Sequence, residues 1–146
     1  MGNKFWQINN RPAYMILLRE KAYLKRYFPN FRVEVNGNIL KCEGSMKPTA
    51  FSQSYRFELI YQYGKNPKTR ILSSHILIDL KIHMFENGYL CLYYWKENPW
   101  NIKYHLFETI IPWLAEWILY YEVYELTGKW QGISAEHGAR KEIPKE

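Results

Sequence analysis

Phe31-Arg32-Val33-Glu34-Val35-Asn36-Gly37-Asn38-Ile39-Leu40-Lys41-Cys42-Glu43 is the stretch that decides the architecture. Phe31, Val33 and Val35 alternate with Arg32 and Glu34, the two-residue period of a strand with one buried face. Asn36-Gly37 offers the positive backbone angles of a tight turn, after which the chain returns over Ile39 to Glu43. The reading is an antiparallel hairpin. A third strand is expected from Tyr55 to Tyr63, with Tyr55, Phe57, Leu59 and Tyr61 on one side and Arg56, Glu58 and Gln62 on the other. Gly64 to Pro67 breaks that pattern.

Upstream of the hairpin, Tyr14, Leu17, Leu18, Leu24 and Phe28 recur at helical spacing. A first helix is therefore expected from Pro12 to Phe28, with Pro12 in the first turn and Pro29 ending it. Downstream, Ile76, Ile78, Leu80 and Ile82 alternate with Leu77, Asp79 and Lys81. This further extended segment leads towards His83 and a turn at Glu86-Asn87-Gly88. An irregular stretch carrying Cys91 follows. Beyond Trp100 the pattern becomes helical again, Pro112 marking a start or a kink and Gly128 a terminator. Helix, antiparallel meander, irregular centre and helix together define an α+β domain. Residues 1–130 read as that single domain and 131–146 as a polar tail.

The 146 residues are enough for one continuous core without metal or disulfide staples. With 47% hydrophobic and 23% charged residues, the composition excludes a disordered or fibrous chain. Met1 to Asn10 does not read as a leader peptide, so a cytoplasmic protein is expected. The apolar run Leu106 to Leu126 has the length to span a bilayer, but Glu108, Glu116, Glu122 and Glu125 would be costly in hydrocarbon, and no membrane association is expected. The formal charge of +6 raises the question of nucleic acid. Arg19, Lys21, Lys25 and Arg26 cluster on the first helix, yet no nucleic-acid recognition motif accompanies them, and a solvated helix face accounts for the charge. Cys42 and Cys91 lack any paired-cysteine spacing, and no metal-ligand spacing links His75, His105 and His137. No metal or cofactor is expected.

Cys91 lies in Gly88-Tyr89-Leu90-Cys91-Leu92, just after a turn and away from regular structure. Catalytic residues concentrate on loops held by rigid scaffolds, which admits a nucleophile. A free cysteine between two leucines also fits a small buried hydrophobe. Both readings stand on the residues alone.

The order of elements and the local words resemble the ubiquitin-conjugating enzymes over nearly the whole chain. Pro67-Lys68-Thr69-Arg70-Ile71-Leu72 is similar to that family's proline segment entering the fourth strand. Asn87-Gly88-Tyr89-Leu90-Cys91-Leu92 is similar to its active-site word, and Trp100 falls where a tryptophan commonly follows the cysteine. A narrower resemblance is to the ubiquitin-conjugating-like proteins of bacterial cyclic-oligonucleotide antiphage signalling (CBASS) operons. It rests on Leu90-Cys91-Leu92-Tyr93-Tyr94 and Glu108-Thr109-Ile110-Ile111-Pro112-Trp113. Glu116-Trp117, Tyr120-Tyr121-Glu122 and Thr127-Gly128-Lys129-Trp130 continue it. The ordered series is more specific than any one short motif.

The resemblance implies that Cys91 accepts the C-terminal carboxylate of a protein partner as a thioester and loses it to an amine. It implies a cGAS-like nucleotidyltransferase of the same operon as that partner. It also implies a separate activating enzyme, since the chain has no Gly-rich phosphate loop of its own. Asn87 and Trp100 become candidates for active-site support, and Arg19, Lys21, Lys25 and Arg26 for docking the activating protein. One departure matters. The family's His-Pro-Asn tripeptide is absent, and His83 occupies about the place of its asparagine. A histidine there can donate to an oxyanion or exchange a proton near neutral pH, or it can satisfy loop backbone. The rival readings are an inactive scaffold of the same fold and a small basic RNA-binding domain.

Overall fold

The computed structural model describes residues 11–73, 84–85, 87–93, 96 and 98–132. Helix α1 spans Arg11–Tyr27, with Pro12 in its first turn where a missing N–H costs nothing. Strands β1 (Arg32–Asn36), β2 (Ile39–Met46), β3 (Tyr55–Gln62) and β4 (Lys68–Ile71) follow. They form one antiparallel sheet in the order β1-β2-β3-β4. A single 3-10 turn, Leu106–Glu108, leads into helix α2, Ile110–Thr127. Pro112 sits in the first turn of α2. Gly128 ends the helix in the left-handed region at φ 73°, its N–H donating to the Tyr124 carbonyl at 2.8 Å. The expected extended segment at Ile76–Ile82 lies outside the described residues, as do His75, His83 and His137.

The hairpin turn differs by one residue from the sequence expectation. Asn36 pairs with Ile39, so Gly37 and Asn38 are the central residues, with Gly37 at φ 62°. Centring the turn on Asn36-Gly37 would have set Arg32 opposite Lys41. The observed register instead sets Arg32 opposite Glu43 and Glu34 opposite Lys41. Opposite charges across a ladder are favourable and like charges are not, so the solvent face selects the register. Strand β2 also runs past Glu43 to Met46. The extension passes through Gly44, where an added Cβ would lie 2.4 Å from the Phe31 ring. The bare backbone there makes room for Phe31, which stacks on Phe28 and meets Phe57 edge-on.

The alternating side chains Val33, Leu40, Cys42, Phe57, Leu59 and Tyr61 enter one core with Leu17 and Leu24 of α1 and Leu114 and Ile118 of α2. Fully burying a leucine contributes about 1.5–3 kcal/mol, so this cluster dominates stability. Two carboxylates join distant parts of it. Glu122 of α2 accepts from the Ser52 hydroxyl at 2.7 Å and the Tyr55 hydroxyl at 3.0 Å, holding the loop between β2 and β3. Glu20 of α1 is 1% exposed. It accepts from the Leu106 backbone N–H at 2.8 Å and the Arg19 Nε at 3.0 Å, and its Oε2 lies 2.9 Å from His105 Nδ1. This clasp fixes the entry to α2 against α1.

Candidate active site around Cys91

Cys91 follows a short reversal laid beside β4, the edge strand. The Phe85 N–H donates to the Tyr89 carbonyl at 2.8 Å and the Gly88 N–H to the Phe85 carbonyl at 2.9 Å. Gly88 takes φ 84°, a region where a side chain would be strained. Asn87 Oδ1 accepts the Tyr89 N–H at 3.1 Å, so Asn87 stabilises the turn itself. Met84 and Leu90 form an antiparallel bridge, and the Leu90 N–H donates to the Thr69 carbonyl of β4 at 2.7 Å. The residue before the thiol is thus pinned to the sheet. On the far side, Asn66 Oδ1 accepts the Trp100 N–H at 2.7 Å. The Trp100 ring meets Tyr61 and Tyr104 edge-on at 5.9 and 5.3 Å, closing an aromatic wall behind the segment.

The two cysteines differ sharply. Cys42 is fully buried in β2, and burial pushes its thiol up to about 12. It is a small core hydrophobe. Cys91 is a free thiol of intermediate exposure between the buried Leu90 and Leu92. Burial also raises its pKa above the ordinary thiol value, so the resting protein holds it mainly protonated near neutral pH. Nucleophilic use of Cys91 therefore calls for a base or a partner that favours the thiolate.

Arg19, Lys21, Lys25 and Arg26 of α1 do not share one face of the helix. Positions 19 and 26 share a face at seven-residue spacing, and 21 and 25 share another. Arg19 is bonded to Glu20 and to the Ile102 carbonyl. Lys25 Nζ donates to the Pro29 and Phe31 carbonyls at 2.9 and 2.7 Å, capping the helix exit. Arg26 lies over the Tyr27 ring and is exposed, while Lys21 is half-buried. His105 is a structural partner of Glu20.

Sequence reasoning did not find an open groove of about 480 Å³ beside the cysteine segment. One wall is residues 64–68, and the other is Phe85, Asn87, Tyr89 and Leu90. Lys68 Nζ and Arg70 Cζ lie 5.6 and 5.7 Å from the Tyr89 ring centroid. The only signal in the sequence was the density of cations in Lys65-Asn66-Pro67-Lys68-Thr69-Arg70. Among the described residues, no group of three or more His, Cys, Asp and Glu side chains could hold a metal ion, and no helix is long and apolar enough to cross a membrane.

A first helix, a four-stranded antiparallel meander and an irregular, sheet-pinned cysteine segment before a second long helix define the ubiquitin-conjugating-like class. The Type II CBASS E2 protein family matches residues 20–138, a span that contains the whole sheet, Cys91 and α2. The chain belongs to that family. A comparison with curated proteins finds no match.

Proposed function

We propose that the chain carries an acyl group on Cys91, taking the C-terminal carboxylate of the operon's cGAS-like nucleotidyltransferase as a thioester and passing it to an amine. A separate activating enzyme supplies the carboxylate as an acyl-adenylate or a thioester. The Cys91 sulfur attacks that carbonyl, its proton leaves to solvent or a base, and AMP or the donor thiol departs. An amine nitrogen then attacks the thioester, loses a proton and releases the Cys91 thiolate as the amide forms.

One observation carries this reading. Of the chain's two thiols, Cys42 is sealed in the core, while Cys91 is partly exposed on a segment pinned by Leu90 to Thr69. His83 is proposed as the donor to the oxyanion formed at the thioester carbonyl. Asn87 and Trp100 support the segment by the turn and the aromatic wall. Lys21 and Arg26, whose head groups make no bond to a carbonyl among the described residues, are proposed to dock the activating protein with Arg19 and Lys25 beside them.

The test is co-expression with the neighbouring operon proteins and intact-mass analysis. A thiol-sensitive adduct is expected, lost in Cys91→Ala and kept in Cys42→Ala. Cys91→Lys should convert it to a thiol-resistant amide. An adduct that survives Cys91→Ala overturns the assignment. The raised thiol pKa favours a second reading, a scaffold that binds the synthase without chemistry. It predicts a stable complex with no adduct in the wild-type chain.

A further inference from the structure

We infer that Tyr93, Trp100, Tyr61 and Tyr104 hold an internal water, and that this water fixes the Cys91 segment to β3, which makes Tyr93 a positioning residue for the thiol.

Tyr93 lies two residues beyond Cys91 and is 4% exposed. Its ring packs on Trp113 of α2 at 5.6 Å between centroids and on Trp100 at 6.3 Å. Neither Tyr93 Oη nor Trp100 Nε1 reaches solvent, and neither has a hydrogen-bond partner among the described residues. A sealed donor without a partner loses its bonds to bulk water and gains nothing in exchange. Buried hydroxyl and indole groups are therefore satisfied, as a rule, by protein or by ordered water. Here two such donors sit on adjoining rings.

The groups facing them supply the acceptors. Burial raises the Tyr93 pKa, and the Tyr61 and Tyr104 hydroxyls raise it further, so both lie close to Tyr93 Oη yet short of hydrogen-bond geometry. Burial also raises Tyr61, and the Trp100 N–H opposes it, so the indole is turned towards the Tyr61 oxygen. Polar groups that face one another without bonding directly are where a bridging water sits. An internal water makes about three bonds. This one accepts from the Trp100 N–H and the Tyr93 hydroxyl and donates to the Tyr61 and Tyr104 oxygens. An indole N–H only donates, so a metal cation does not fit the site.

The four side chains come from different parts of the fold. Tyr61 belongs to the core face of β3, Tyr93 to the cysteine segment, and Trp100 and Tyr104 to the stretch that leads into α2. The Leu90–Thr69 bond fixes the chain just before the thiol. The water fixes it just after, where the side chains offer no direct polar bond to β3.

The full chain, without any partner, serves for the test. A high-resolution crystal structure should show a water bonded to Tyr93 Oη and Trp100 Nε1. Tyr93→Phe should lower the urea midpoint, because it strips the water of a partner, whereas removing a hydroxyl that bonds to nothing would raise it. Tyr61→Phe should be coupled to Tyr93→Phe in a double-mutant cycle, although the two oxygens are not bonded to each other. Alkylation of Cys91 by iodoacetamide should quicken severalfold in Tyr93→Phe, as the segment loosens and burial of the thiol is relieved. Tyr55→Phe, which removes a bond to Glu122 instead, should leave that rate unchanged.

No water at Tyr93 Oη, a raised midpoint in Tyr93→Phe, or additive effects in the cycle overturns the inference. So does alkylation that is unchanged in Tyr93→Phe or that quickens equally in Tyr55→Phe. None of these measurements needs the operon proteins, so failure of the thioester leaves them untouched.

Discussion

Asn66 Oδ1 accepts the backbone N–H of Trp100 at 2.7 Å, tying the turn between β3 and β4 to the segment that leaves Cys91. The Leu90–Thr69 bond ties the segment that enters it. The thiol is therefore held from both sides by the edge of one sheet. Asn66→Ala should cost about 1 kcal/mol in urea unfolding, the usual net worth of such a bond. Amide exchange at Trp100 should accelerate, and adduct formation should fall by more than the stability change explains. Wild-type exchange in the variant would show that the bond does not order the segment.

Glu20 supplies the largest expected polar effect. Glu20→Ala removes three contacts and leaves the buried Leu106 N–H without its acceptor. The loss should be about 2–3 kcal/mol, measured by denaturant midpoint, and Glu20→Gln should recover part of it.

Gly44→Ala should destabilise by about 1–3 kcal/mol, because the new methyl enters the Phe31 ring. In Phe31→Leu the same substitution should cost less. A double-mutant cycle with no coupling would remove the steric explanation.

Cys91 should react slowly with iodoacetamide at pH 7, and its rate should keep rising beyond the ordinary thiol range, since burial raises its pKa. Cys42 should stay unmodified until the chain unfolds. A Cys91 rate that levels off near neutral pH would mean that a cation or base already activates the thiol.

Alkaline pH should unfold the protein. Cys42 ionises at 9.0 in the open chain and near 12 when folded, and burial raises Tyr55 and Tyr93 in the same direction. Above pH 9 the unfolded state releases protons that the folded state keeps. The stabilisation is complete below that pH and is lost as the pH climbs towards 12. For Cys42 the loss is on the order of 1 kcal/mol per pH unit, read as a falling urea midpoint, and the tyrosines add to it only above pH 10, where they ionise in the open chain.

Much of this architecture is written in local pattern. The alternation from Tyr55 to Tyr61 reports a strand with one buried face, and that face is buried throughout. Pro12, Pro29 and Gly128 mark helix ends because their backbone constraints act within a single turn. The hairpin position was missed by one residue because Asn-Gly is a local turn signal, whereas the register answers to charges several residues away on the partner strand. The groove and the Glu20 clasp were not legible for the same reason. Lys65 and Tyr89, or Glu20 and Leu106, become neighbours only after the chain folds, and no spacing rule joins them. Cys91 was legible as a candidate from its word, but its elevated pKa comes from packing. Residue His83 lies outside the described part of the chain.

The Glu20 clasp carries a consequence for how the protein is made. Its partners are 86 positions apart, so the contact waits for synthesis to pass the start of α2. A nascent chain that has just exposed Cys91 still has Leu106 and most of α2 inside the ribosome, and with them much of the core is out of reach. The thiol thus emerges before the scaffold that will hold it.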